Sequence, residues 1–98
     1  MHTPQTLDVI IPVFNEERDL PVSIRKLRGF LREHCPYKWR IVVANNASTD
    51  NTLEIAKALK AEFPGQVDFI HLEQKGRGRA LKKAWLASDA DVVSYMEN

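Results

Sequence analysis

The chain has 98 residues, which is enough for one domain with a modest hydrophobic core. Its 44% hydrophobic and 28% charged residues are ordinary for a globular domain, and a net charge of +1 gives no bulk electrostatic basis for binding nucleic acid. The single cysteine, Cys35, excludes an intrachain disulfide and a Cys-rich zinc site. Neither a membrane span of about 20 apolar residues nor a signal peptide is recognisable, so we expect a cytoplasmic location.

The first half of the chain alternates strand and helix patterns. Residues 7–13 (LDVIIPV) predict a buried strand, because the run is short, apolar and β-branched. A helix is predicted to begin after Asp19 and to end before Pro36, and its apolar side chains recur at helical spacing. Those side chains are Leu20, Ile24, Leu27 and Leu31. Residues 39–44 (WRIVVA) predict the second strand.

The second half continues the alternation. A polar loop at 45–50 (NNASTD) offers Ser48 or Asp50 as the N-cap of a helix over about 51–63. A third strand at 67–72 is followed by the basic, glycine-containing loop KGRGR at 75–79 and a helix over about 78–87. A fourth strand is predicted at 91–96. The last helix is expected to present Leu81, Ala84 and Trp85 inward.

This alternation predicts an α/β fold with three layers, in which helices cover both faces of a parallel sheet. Ligands of such sheets bind at the carboxyl ends of the strands. The candidate site therefore consists of segments 14–17, 45–48, 74–79 and 97–98.

Those segments carry groups suited to a nucleotide, although each also has a structural interpretation. Phe14 could stack on a base, or belong to the core; the glutamates behind it could bind ribose, or favour the following helix by their charge. Asn45 and Asn46 could bind a base edge, or serve as loop residues. The KGRGR loop could hold a diphosphate at a helix N-terminus, or form a solvated basic surface.

Four segments, in order and spacing, carry a family resemblance. VIIPVFNEE, NNASTDNT, KGRGRALKKAW and ADVVSYMEN resemble family 2 glycosyltransferases with the GT-A fold. They are most similar to polyprenyl-phosphate (dolichyl-phosphate) mannosyl- or glucosyltransferases. The resemblance extends from about Leu7 to Asn98. It implies a Rossmann-like nucleotide-binding part and, with the alternation of elements, a strand order of 3-2-1-4.

The resemblance also implies roles for individual residues. Three would hold the base and ribose after the first strand, namely Pro12, Phe14 and Glu16. Asn45 occupies a base-binding position where the family usually has Asp. Arg77 occupies a basic position near the base and diphosphate, and Gly76 and Gly78 would shape that loop. Glu97 would be the first acid of the metal-binding D-x-D motif, whose second acid would fall at position 99.

The implied activity is transfer of a sugar from a UDP- or GDP-sugar to an acceptor, with a polyprenyl phosphate as the expected acceptor and Mg or Mn as the cofactor. We interpret residues 1–98 as one partial domain that supplies nucleotide binding, contains no catalytic residue and is inactive alone. The longer protein would act at the cytoplasmic face of a membrane. The last strand would be an exposed edge through which the chain self-associates. Alternatives are a nucleotidyltransferase-like enzyme and a non-enzymatic nucleotide-binding module.

Overall fold

The structure is a computed structural model that describes residues 5–96 and all of their side chains except that of Arg77. Strands and helices alternate along the whole of this range. In chain order they are β1 (Thr6–Val13), α1 (Leu20–His34), β2 (Lys38–Asn46), α2 (Thr52–Glu62), β3 (Val67–Leu72), α3 (Arg77–Ala87) and β4 (Val92–Tyr95). Among the described residues, no helix is long and apolar enough to cross a membrane.

The four strands form one parallel sheet in the order β3-β2-β1-β4. Strand β1 is central, since Val9 lies opposite Ile41 of β2 on one side and opposite Ser94 of β4 on the other. The predicted parallel sheet and its strand order are confirmed. Parallel strands need crossover connections, and the three helices provide them.

Helices cover both faces of the sheet, as predicted. Helices α1 and α2 pack on one face through a cluster of buried aliphatic side chains that includes Leu20, Ile24, Leu27, Leu31, Ala56 and Leu59. Helix α3 packs on the other face, where Ala80 and Ala84 lie against Ile10 and Val42. Alanines allow α3 to approach the strands closely. The α1 and α2 face therefore holds most of the buried apolar volume.

Two predictions about local structure are wrong. Asn45 and Asn46, expected in a loop, are the last residues of β2, because β3 pairs with them at His71 and Leu72. Trp85, expected to face inward, is 56% exposed. Ala80 and Ala84 are the buried residues of α3, and Leu81 packs beside them as predicted. Trp85 lies to the side, where its ring contacts Tyr95 edge-on at 5.7 Å.

The start of α2 also differs from expectation. The residue at its N-cap is Asn51, which makes no side-chain cap hydrogen bond. Instead Asp50, one position earlier, accepts a hydrogen bond from the Thr52 amide at 2.9 Å. Neither Ser48 nor Asp50 is therefore the N-cap residue, although Asp50 satisfies an amide of the first turn.

Candidate functional site

The carboxyl ends of β1, β2 and β3 bring together segments that are far apart in the sequence. The loop after β1 lies against the loop after β2, and the loop after β3 closes over both. We call this region the carboxyl edge. It contains the candidate segments that sequence analysis selected within the described residues, and it is held mainly by short polar side chains.

Asn15 joins the loop after β1 to the loop after β2. Its Oδ1 accepts hydrogen bonds from the backbone amides of Thr49 at 2.7 Å and Asp50 at 3.3 Å. The backbone amide of Asn15 donates to Ser48 Oγ at 3.0 Å. The backbone of Asn15 has a φ of 50°, in the left-handed region that asparagine tolerates better than most residues. One residue thus supplies both the turn and the contacts across it.

A second set of contacts fixes the residues that follow Asn15. The buried hydroxyl of Thr52 accepts from the Glu16 amide at 2.8 Å and donates in turn to Asp50 Oδ1. The Glu17 amide donates to Asp50 Oδ2 at 3.4 Å. Desolvation acts to raise the pKa of Asp50, but hydrogen bonds from Thr52 and Glu17 outweigh it and leave the pKa below its ordinary value of 3.8. Asp50 is therefore an anionic anchor for both loops at neutral pH.

Asn45 lies beneath these loops and is fully buried. Its Oδ1 accepts from the Ser48 hydroxyl, and its Nδ2 lies 2.9 Å from Nδ1 of His71, the residue opposite it on β3. Both ends of its side-chain amide are therefore engaged within the chain. Because Asn45 is fully buried, a base could reach the remaining N–H or lone pair of this amide only if the loops above it moved.

Asn46, the next residue, points to the opposite face of the sheet and holds the start of α3. Its Oδ1 accepts from the Gly76 amide at 2.6 Å. A Cβ at Gly76 would meet only the flexible side chain of Arg79, at 3.2 Å, and a Cβ at Gly78 would meet nothing within 4 Å. No packing within the described residues thus requires glycine at either position. Space beside the backbone of the first turn of α3 is therefore open at Gly78, whereas at Gly76 the Arg79 side chain lies against it.

Phe14 and Lys75 meet across the carboxyl edge. The Phe14 ring is 36% exposed, and Lys75 Nζ lies 4.1 Å from its centroid, in cation–π contact. Glu16 is half-buried beside a cleft of about 330 Å³ that the first turn of α1 also lines. Pro12 is half-buried in β1, opposite Ala44. The edge therefore presents an aromatic ring, an ammonium group and a carboxylate within one short stretch of surface.

Two predicted site groups lie outside the described part of the chain. They are the side chain of Arg77 and the whole of Glu97. Within residues 5–96, no group of three or more His, Cys, Asp or Glu side chains is placed to hold a metal ion. The described residues alone thus do not form a site for Mg or Mn, and we derive no step through a metal.

Three residues of the carboxyl edge were given no individual ligand-binding role from the sequence: Asn15 and Ser48, which lie within the candidate segments, and His71, which lies outside them. His71 was passed over because the three histidines show no metal-ligand spacing. Its role depends on the register that places it opposite Asn45, which the sequence does not reveal. Asn15 could have been found, because asparagine just beyond the end of a buried strand is a turn signal.

Comparison with known proteins places these features in a wider group. The sequence profile described as "Glycosyl transferase family 2" matches residues 8–98. The chain is 24% identical over 95 residues to a dolichyl-phosphate beta-glucosyltransferase of Trichomonas vaginalis, covering 93% of this chain and 29% of that protein. It is 36% identical over 87 residues to a bactoprenol glucosyl transferase of Shigella phage SfV, covering 89% of this chain and 28% of that protein. The chain thus spans less than a third of these curated relatives.

A solved structure has the same fold. It is a mannosyltransferase from Pyrobaculum calidifontis in complex with GDP-mannose and Mn²⁺, and it superposes with a TM-score of 0.75 at 23% identity. The match covers 98% of this chain and 28% of that one. The α/β sheet described above therefore occurs in a glycosyltransferase of known structure.

Proposed function

Because the chain belongs to glycosyl transferase family 2, we propose that it forms the nucleotide-binding part of an enzyme that transfers a sugar from a UDP- or GDP-sugar to a polyprenyl phosphate. Family membership favours this reaction over the nucleotidyltransferase-like alternative. The observation that carries the proposal is the meeting of the Phe14 ring, Lys75 and the start of α3 at the carboxyl edge of a parallel sheet.

The proposed placement of the nucleotide follows from the chemistry of that edge. The diphosphate would lie at the start of α3, where backbone amides favour an anion and neither glycine has a side chain to obstruct it. Lys75 would supply a positive charge. The base would stack on Phe14, using the ring face that Lys75 does not cover or taking the place of its ammonium. Pro12 and Glu16 would contact the base and ribose. Asn45 would lie beneath the base, within the sheet.

The proposed cofactor is Mg or Mn, which would offset the charge of the departing diphosphate. Support comes from the Mn²⁺ bound to the mannosyltransferase of the same fold. Glu97 remains our proposed ligand, from a position that lies outside the described residues. Since residues 5–96 gather no such site, we expect the 98-residue chain to bind manganese weakly at best.

The test of nucleotide binding uses Arg77, which stands in the basic loop at the first position of α3. A charge-assisted contact with phosphate contributes about 1.5–3 kcal/mol, so Arg77→Ala should weaken UDP or GDP binding roughly ten- to a hundred-fold. Calorimetric titration measures this loss. Arg32→Ala, which removes the same charge from the exposed end of α1, is the matched control. Equal affinities for wild type and Arg77→Ala would remove Arg77 from the site.

The acceptor and the setting of the whole protein are proposals drawn from the relatives. Those named for dolichyl-phosphate and bactoprenol support a polyprenyl phosphate acceptor. Such an acceptor places the enzyme at a membrane surface, which we propose to be the cytoplasmic face. We propose no catalytic residue within this chain, treat residues 1–98 as one partial domain and expect no transferase turnover from it. Turnover by the purified chain would contradict that assignment.

We also propose that the 98-residue chain self-associates through β4. Within the described residues this strand pairs with β1 alone, and Val92, Tyr95 and Met96 are 37–45% exposed beside its open edge. Unpaired backbone groups next to apolar side chains favour pairing with another strand. Light scattering at micromolar concentration should give a mass above that of a monomer, and Ser94→Lys should lower it. A monomeric wild type would contradict the proposal.

A further inference from the structure

We infer that His71 binds the nucleotide base, donating a hydrogen bond from its Nε2–H, and that Asn45 positions it for that task. This inference rests on the nucleotide-binding function proposed above and adds a residue to it. Asn45 was expected from the sequence to contact the base itself. In the structure its amide is buried and engaged on both sides, and one of its two partners is His71.

The orientation of the Asn45 amide follows from Ser48. Ser48 Oγ already accepts a hydrogen bond from the Asn15 amide at 3.0 Å, so its own proton needs an acceptor. Asn45 Oδ1 is that acceptor. With the oxygen used in this way, the Nδ2 group is turned toward His71 at 2.9 Å. The reverse orientation would leave the Ser48 proton without this acceptor.

The amide in turn sets the tautomer of His71. Asn45 Nδ2 can only donate, so Nδ1 of His71 must accept and carries no proton. The neutral imidazole then has its proton on Nε2. The buried Asn45 and the half-buried Ser48 thus fix the tautomer of His71, so that its Nε2–H is a hydrogen-bond donor.

That donor is accessible to solvent at the carboxyl edge. His71 is half-buried, and its Nε2 has no hydrogen-bond partner among the described residues. No buried side-chain nitrogen or oxygen in that part of the chain lacks a partner, so Nε2 is open to solvent. The carbonyl of His71 accepts from Lys83 Nζ at 3.2 Å, which ties the end of β3 to α3. The ring is therefore held at its Nδ1 while Nε2 remains available.

A donor of this kind suits an oxygen or ring-nitrogen acceptor on the edge of a base. The position proposed above for the diphosphate is at the start of α3, where Asn46 accepts a hydrogen bond from the Gly76 amide. Asn45 and Asn46 project to opposite faces of the sheet, so one supports the proposed base contact and the other supports the proposed phosphate contact. The effect of changing His71 should accordingly be confined to ligands that carry a base.

The first test is spectroscopic and needs no ligand. The ¹⁵N chemical shifts of the His71 ring, recorded in alkaline solution, should report the Nε2–H tautomer. In Asn45→Ala the ring loses the donor that fixes it and should show a mixture of tautomers. A dominant Nδ1–H form in the wild-type chain would overturn the inference.

The second test compares ligands with and without a base. His71→Asn keeps an acceptor near the Nδ1 position but removes the outer donor, whereas His71→Gln places an amide nitrogen near the Nε2 position. We expect His71→Asn to weaken binding of UDP or GDP about 3- to 10-fold, with a smaller loss in His71→Gln and no change in binding of inorganic pyrophosphate for either. His34→Asn, at the exposed end of α1, is the control.

The outcomes separate the inference from the function on which it rests. If wild type binds a nucleotide and His71→Asn binds it equally well, His71 has no contact with the base and the inference fails alone. If His71→Asn weakens pyrophosphate binding as much as nucleotide binding, the residue acts through the fold of the edge and the inference also fails. If wild type binds neither UDP nor GDP, the proposed function fails and the inference falls with it.

Discussion

The carboxyl edge differs from the opposite end of the sheet, where the strands begin and which we call the amino edge. At the carboxyl edge, short neutral side chains such as Asn15, Asn46 and Ser48 bond to backbone amides and leave Nε2 of His71 open. At the amino edge, Arg40 forms two hydrogen bonds to the buried carboxylate of Asp8, at 2.8 and 3.2 Å.

The amino edge is thus stabilised by charges that satisfy each other. Arg40 also lies 3.4 Å from Asp68, which pairs with Lys60 at 3.0 Å, and Ser88 donates to Asp8 at 2.6 Å. The hydrogen bond that Arg40 donates to Asp8 raises the pKa of Arg40, which remains charged at any relevant pH. A cleft of about 270 Å³ borders this network, and Asp8 and Arg40, two of the charged residues that line it, pair with each other. The comparison shows that the buried charge at the amino edge is neutralised within the fold, whereas a ring nitrogen at the carboxyl edge is left without a partner among the described residues.

The largest expected effect concerns the amino edge. Arg40→Ala leaves the Asp8 carboxylate, only 5% exposed, without its cationic partner. Removing one partner of a buried pair costs about 3–5 kcal/mol, and the lower value applies here because Arg40 is one-third exposed and Ser88 still donates to Asp8. Denaturant unfolding should show this loss in the free energy of unfolding. Arg25→Ala, which breaks an exposed pair with Glu62, should cost less than about 1 kcal/mol. Equal losses would erase the contrast between buried and exposed pairs.

Next in size is the junction between the two loops of the carboxyl edge. Asn15→Ala removes the acceptor for two amides and places alanine at a φ of 50°, so we expect a loss of about 2 kcal/mol together with weaker nucleotide binding. Asn15→Gly keeps the turn but not the hydrogen bonds, and should lose less. If both variants lose the same amount, the backbone conformation contributes nothing and the hydrogen bonds account for the whole effect.

A smaller effect of opposite sign is expected at Ala47, whose φ of 54° also lies in the left-handed region. Ala47→Gly relieves a cost of about 1–2 kcal/mol and adds chain entropy worth about 0.5–1 kcal/mol, so a net gain of roughly 0.5–1 kcal/mol should appear as a higher Tm. Ala58→Gly, on the exposed side of α2, should instead destabilise the chain by about 1 kcal/mol. A loss of stability in Ala47→Gly would show that the turn is unstrained.

The smallest effect is the pH dependence due to Asp50. Its pKa in the folded chain lies below the ordinary 3.8, so its contribution to stability is complete above that value and is lost as the pH falls through the folded pKa. Asp50→Asn should flatten the fall in unfolding midpoint below about pH 4. Glu33→Gln, which changes an exposed carboxylate of α1, serves as the comparison. If the unfolding midpoint of Asp50→Asn falls at acid pH as steeply as that of the wild type, the Asp50 carboxylate does not stabilise the two loops.

The sequence predicts the sheet well because its signals are local and repeat. Apolar runs such as 7–13 and 39–44 mark strands, helical spacing marks α1, and chirality of the crossovers limits the topology. The family resemblance supplies the candidate edge and the nucleotide. The contacts that hold that edge are different in kind, since Asn15, Asn46 and His71 each bond to a residue in another segment. Such pairs depend on strand register, which no pattern in a single segment reveals.

Trp85 illustrates a second reason for the limits of prediction. A large apolar side chain at helical spacing from other apolar residues is normally assigned to the core. In α3 the close approach through Ala80 and Ala84 sets the rotation of the helix, and Trp85 is left to pack on Tyr95 at the sheet edge. Small residues determined the packing here, although hydrophobicity alone ranks them below tryptophan.

The central position of β1 has a consequence for how the chain folds. Among the described strands this one is made first, yet its neighbours begin at Lys38 on one side and at Val92 on the other. No strand of the sheet pairs with a hairpin partner, so every ladder must close a long loop, and folding on a timescale of roughly milliseconds to seconds is expected. On the ribosome, one side of β1 stays unpaired until Val92 emerges. During that interval the chain exposes an apolar strand that a chaperone or another nascent chain could bind.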